Sequence, residues 1–91
     1  MDYINYLQKH NKSGLKVGDI VRILRKAKNH ENGWNDIWIT DMNIYVNRSG
    51  IIIRDNEERG FMIDFKDNNK LYVFPYFILT SRKDKIKKIL E

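Results

Sequence analysis

The sequence predicts a mainly β fold: a small antiparallel barrel of about five strands, with a long loop after the first strand, a short N-terminal helical segment and a basic C-terminal helix. Three observations carry that expectation. Ala27 is the only alanine among 91 residues while isoleucine is abundant, a balance that disfavours helix and favours strand. Short β-branched or alternating runs recur along the chain. Polar turn clusters separate them.

Taken in order, Asp2 to Lys9 forms one or two helical turns, with Ile4 and Leu7 on one side and Tyr3 and Tyr6 nearby. Asn11-Lys12-Ser13-Gly14 breaks it. Val17-Gly18-Asp19 turns into a first strand, Ile20 to Arg25, in which Val21 and Ile23 point away from Arg22. The stretch from Lys26 to Asn43 is long for a connection, and aromatic-rich loops of that length fold onto the body and carry function. Gly50–Arg54 (GIIIR) and Phe61–Lys66 (FMIDFK) flank the turn cluster DNEERG, and Asp67-Asn68-Asn69 leads into Leu71–Phe74. Pro75 ends that strand because it cannot donate to a ladder. Tyr76–Leu79 gives a helical turn and the last strand. Ser81–Glu91 (SRKDKIKKILE) has capping-box spacing at Ser81 and Asp84 and apolar residues Ile86, Ile89 and Leu90 at helical spacing. The expected division is 1–14, an N-terminal segment; 15–80, the barrel; 81–91, a basic amphipathic helix or tail.

Size and composition bound the rest. One domain of this length sits near the lower limit for an unaided hydrophobic core. Without cysteine it has neither disulfides nor thiolate metal ligands, so its aromatics are needed for packing. The N-terminus lacks a signal-peptide pattern and no apolar run approaches membrane-span length; the expectation is a cytoplasmic protein. Asn, Ile and Lys make up 34 of the 91 residues, a bias that fits the AT-rich genomes of many phages and some Gram-positive bacteria. The net charge of +5 is unevenly placed: residues 1–30 carry +5, residues 31–80 carry −3 and residues 81–91 carry +3. A protein that grips a phosphate backbone concentrates Lys and Arg on its folded surface, which this middle region does not.

The order Val17-Gly18-Asp19-x-Val21, Gly33-Trp34, Asp41-Met42, Tyr45-Val46, Gly50-x-Ile52, Phe61-x-Ile63-x-Phe65 and Phe74-Pro75-x-x-x-Leu79 resembles a family of small SH3-like modules. These recur in phage and bacterial proteins and are distantly similar to mind bomb-type and KOW-type barrels. The resemblance covers about residues 15 to 80. Where the family tends to have glycine after the Tyr-Val pair, this chain has Asn47, which tolerates the left-handed conformation that the turn needs. The resemblance implies a binding module without naming its partner.

In SH3-like and tudor-like barrels, aromatics from the long loop and neighbouring strands form an open groove for peptides or cations. The candidates here are Trp34, Asp36, Trp38, Tyr45 and Tyr72, with Phe74 in support. The plainer explanation is that the tryptophans fold the loop onto the core. Ile37 and Ile39 beside Trp38 invite its burial, with Met42 and Val46 also turned inward, whereas Trp34 and Asp36 lie on the polar side of the loop and are the part expected to face a partner. Nucleic-acid contact would draw on Arg22, Arg25, Lys26 and Lys28, with Lys83, Lys85, Lys87 and Lys88; a solvated, solubilising surface accounts for the same residues. Catalysis is not expected. Ser13, Ser49 and Ser81 lie in no elbow or triad context, and His10 and His30 fall in polar, mobile stretches. Asp36 with Asp41, or Asp64 with Asp67, lacks metal-site spacing, and no cofactor is implied. The expectation is a non-enzymatic module, a small phage or bacterial accessory protein that binds a host or partner protein. Nucleic-acid or nucleotide binding linked to transcription, and structural self-association, are the alternatives.

Overall fold

The structure, a computed structural model, describes residues 2–67 and 70–81. The expected C-terminal helix lies outside these residues, save for Ser81, which belongs to the last strand rather than to a helix cap. The chain runs α1 (Asp2–Lys12), β1 (Ile20–Ile23), β2 (Ser49–Asp55), β3 (Phe61–Asp64), β4 (Tyr72–Phe74) and β5 (Leu79–Ser81), with 3-10 turns in the connections. The five strands make one antiparallel sheet in the order β4-β3-β2-β1-β5. The first strand thus lies between the second and the last.

Alternation puts Val21 and Ile23 of β1 and Phe61 and Ile63 of β3 into the core, where they meet Ile52, Phe74 and Ile78. β2 is the long strand. Its first half pairs with β1 and its second with β3, and the register slips between Ile52 and Arg54. That bulge bends β2 so that one strand serves both halves of the sheet. β1 stops at Ile23, short of the Arg25 expected: Leu24 N still donates to Ile78 O at 2.7 Å, but Ile78 N turns back to Pro75 O in the 3-10 turn and returns no bond to β1. The turn before β2 is left-handed at Asn47 (φ 69°), whose N–H donates to Ile23 O at 2.7 Å. Asparagine takes that conformation at modest cost. Pro75 ends β4, and one 3-10 turn at Tyr76–Ile78 leads into β5.

α1 runs a turn beyond the expected Lys9, and its buried face is not Ile4 and Leu7. Ile4 is exposed, and the helix docks through Tyr6 and His10, four residues apart on one face. His10 does not lie in a mobile polar stretch, as its neighbours suggest; it is 1% exposed. Its ring stacks on Phe61 with centroids 4.1 Å apart. Its Nε2 lies 2.8 Å from Asp55 Oδ1 and its Nδ1 3.4 Å from the Tyr6 hydroxyl. Tyr6 in turn accepts a bond from Tyr76 N at 3.3 Å, and burial pushes its phenol far above its usual range. A buried polar ring is tolerated when its polar atoms are satisfied, so the helix is pinned by hydrogen bonds as well as by packing. His10→Ala removes both the stack and the carboxylate contact. It should cost about 2–3 kcal/mol, read as a lower urea midpoint with an unchanged slope; an unchanged midpoint would mean that α1 does not dock this way.

Candidate functional site

The long loop between β1 and β2 is a folded element held at several points. At its start Arg25 grips Glu31 with both terminal nitrogens, Nη1 to Oε1 at 3.2 Å and Nη2 to Oε2 at 2.9 Å, while Lys28 N donates to Oε1. The Arg25 guanidinium holds the Glu31 carboxyl below its ordinary range, and lies over the Phe77 ring, 5.6 Å from its centroid. Trp34 fastens the middle. It is fully buried, and its Nε1 donates to Arg59 O at 2.6 Å. Asn35 N donates to Glu58 O at 2.9 Å, and Arg59 pairs with Asp36 at 3.2 Å. The loop is therefore tied to the turn between β2 and β3.

Its second half lies against β4. Trp38 is half-buried; its Nε1 donates to Asn43 Oδ1 at 2.7 Å and its ring meets Phe74 edge-on at 5.8 Å. Met42 and Tyr45, from the 3-10 turn Thr40–Tyr45, enter the core. Tyr45 stacks on Phe65 at 4.1 Å and approaches Tyr72 and Phe74, while the Arg48 guanidinium lies 5.4 Å from the Tyr45 centroid. Tyr72 donates from its hydroxyl to Asp41 Oδ2 at 3.3 Å. Desolvation, reinforced by that carboxylate, raises the Tyr72 phenol above its usual range.

The expected open aromatic cage is accordingly corrected. Trp38, Tyr45, Tyr72 and Phe74 do meet, with Phe65, but Tyr45 and Phe74 are buried and Trp38, Phe65 and Tyr72 partly so, and the rings pack on one another instead of standing open as a cage. Trp34 is not on the partner-facing side of the loop; it is a core residue, buried in one cluster with Tyr45 and Phe74. Asp36 is half-buried and neutralised by Arg59. Rings of this size are the main source of apolar burial in a small domain, and the core has taken them.

Exposed aliphatic side chains remain beside them. A groove of about 590 Å³ runs between the loop and β4, lined by Thr40, Asp41, Ile44, Tyr45, Lys70 and Tyr72. A second, of about 320 Å³, shares Lys70 and Tyr72 and extends along Leu71 and Val73 to Ile37 and Ile39, reaching the Asp36–Arg59 pair. Ile37, Ile39, Ile44 and Leu71 are between 37% and 54% exposed. Sequence reasoning took none of the four as a contact residue; Ile37 and Ile39 entered only as neighbours that invite burial of Trp38. The signal was present in Ile37-Trp38-Ile39: in extended chain, an inward tryptophan turns both neighbours outward.

The basic candidates do not assemble into a patch among the described residues. Arg22 sits half-buried on β1 with its Nε buried and unpartnered. Arg25, Lys26 and Lys28 are exposed, but Arg25 is engaged by Glu31. Lys83, Lys85, Lys87 and Lys88 lie outside the described residues. Among those described, no three acidic or histidine side chains converge as a metal site, and no helix is long and apolar enough to cross a membrane. Set against protein-family models, curated proteins and solved structures, the chain matches none.

Proposed function

We propose that the protein is a non-enzymatic binding module of the SH3-like type, which holds a protein or peptide partner in the groove between loop residues 36–44 and β4. One observation carries the reading: four exposed aliphatic side chains, three on the firmly held loop and Leu71 beside β4, surround Tyr72 along two adjoining grooves that share Lys70 and Tyr72. Apolar surface of this kind on so small a domain marks a contact site, and a rigid loop loses little entropy when a partner binds. The sheet order, the bulge that bends β2 and the single turn joining β4 to β5 support the barrel. The Asn, Ile and Lys bias supports a phage or bacterial accessory protein acting on a host or partner protein in the cytoplasm.

The test is a pull-down from bacterial lysate with and without nuclease, using the wild type, Ile39→Glu and Ile44→Glu. Both variants are surface changes and should shift stability by less than about 0.5 kcal/mol. A protein captured by the wild type should be retained after nuclease treatment and weakened about tenfold or more by either variant. Capture that disappears with nuclease, or falls steeply with salt, would transfer the function to nucleic acid. A mass in light scattering that rises with concentration and is restored to the monomer by Ile44→Glu would make the partner a second copy of this chain.

A further inference from the structure

A separate concavity lies between α1, the turn at residues 30–33 and Tyr76. It is a half-open depression of about 350 Å³, lined by Tyr6 and Gly33, with Asn5, Lys9, His30, Asn32 and Tyr76 supplying the polar wall. That wall has a consistent chemistry. It offers an ammonium, an imidazole, two carboxamides and a phenol, every one of which can donate a hydrogen bond, and it contains no carboxylate. Among the described residues, none of these five side chains makes a hydrogen bond or ion pair within the protein. The nearby carboxylate of Glu31 has both oxygens engaged by Arg25 and by Lys28 N, so its charge is already answered.

The backbone holds this wall in a conformation it would not adopt freely. His30 (φ 56°, ψ 22°) and Asn32 (φ 52°, ψ 31°) are both left-handed, which disfavours side chains other than glycine. The turn is fixed by Gly33 N donating to His30 O at 3.2 Å, by His30 N donating to Asp36 O at 3.0 Å, and by the Arg25–Glu31 clamp. The backbone that carries these two side chains is thereby set before any ligand arrives, which lowers the entropy lost on binding.

We propose that this pocket binds a small phosphate-type oxyanion, with the Lys9 ammonium supplying charge and Asn5, Asn32, His30 and Tyr76 donating to its oxygens. A phosphoryl group is rich in acceptors and negatively charged, which is what a wall of donors with one cation and no anion complements. The volume exceeds that of the ion itself and leaves room for a nucleoside attached to it. The site is independent of the groove beside β4.

The probes are inorganic phosphate and a nucleoside monophosphate, titrated at fixed ionic strength against chloride and followed by amide chemical shifts. Saturable shifts confined to residues 5–9, 30–33 and 76 are expected. Lys9→Gln should weaken binding about tenfold. Asn32→Gly, which keeps the left-handed turn but removes a carboxamide, should weaken it about fivefold. Lys12→Gln, one turn along the same helix and outside the pocket, should leave it unchanged. Tighter binding of the nucleotide assigns the ligand as a phosphate ester, and equal binding assigns the free ion. The proposal is overturned by shifts that do not saturate, by equal losses in Lys9→Gln and Lys12→Gln, or by a short single-stranded oligonucleotide binding more tightly than the mononucleotide.

Discussion

Trp34→Ala is expected to remove about 3–5 kcal/mol of folding stability, a large share of the roughly 5–15 kcal/mol by which a domain is stable at all. The ring is fully buried and its Nε1 donor is bonded to Arg59 O, so the change opens a cavity and removes a buried bond together. It also frees the loop where Asn35 and Asp36 reach the β2–β3 turn. Urea unfolding followed by far-UV circular dichroism should show the lower midpoint. Trp34→Phe, which keeps much of the ring but loses the N–H, should fall between the alanine variant and the wild type. A partner lost by Trp34→Ala would report unfolding and say nothing about contact. If the variant keeps the wild-type midpoint while losing its partner, Trp34 is a surface residue after all.

Gly60→Ala should be comparably damaging, about 3 kcal/mol or more, although it adds a single methyl group. Gly60 enters β3 at φ 108° and ψ −159°, a region essentially reserved for glycine. A Cβ there would stand 2.5 Å from Phe74 O and 2.8 Å from Phe74 C. Both are backbone atoms of the neighbouring strand, so no side chain can swing aside, and β3 and β4 must part. Gly14→Ala provides the control. Gly14 has φ 81°, but a methyl group added there would meet nothing within 4 Å, so only the conformational cost of about 1–2 kcal/mol applies. Thermal unfolding of the pair checks the difference; equal losses would show that the strands yield easily.

Legibility from sequence followed the range of the forces involved. The strands were readable because alternation is a local property: Val21 and Ile23, and Phe61 and Ile63, declare their own inner face. Tyr76–Leu79 was readable because proline and the apolar residues after it constrain the backbone nearby. Trp34 was not, since glycine and asparagine neighbours look exposed while the partner that buries it, Arg59, lies 25 positions away. His10 was missed for a related reason. A search for apolar periodicity counts Ile4 and Leu7 and overlooks a histidine whose burial depends on Asp55 and Phe61. At the candidate site the large rings drew attention, yet the core had first claim on them and left the isoleucines outside.

The position of β1 between β2 and β5 also constrains the order of events as the chain folds. β2, β3 and β4 are joined by short connections and can pair as a meander while they are still close in sequence. β1 has to wait for partners at Ser49–Ile51 on one side and Leu79–Ser81 on the other, each requiring a long loop to close first. The tie between Tyr6 and Tyr76 is longer still. On a ribosome α1 therefore emerges ahead of the residues that hold it: His10 waits for Asp55 and Phe61, and Tyr6 for Tyr76.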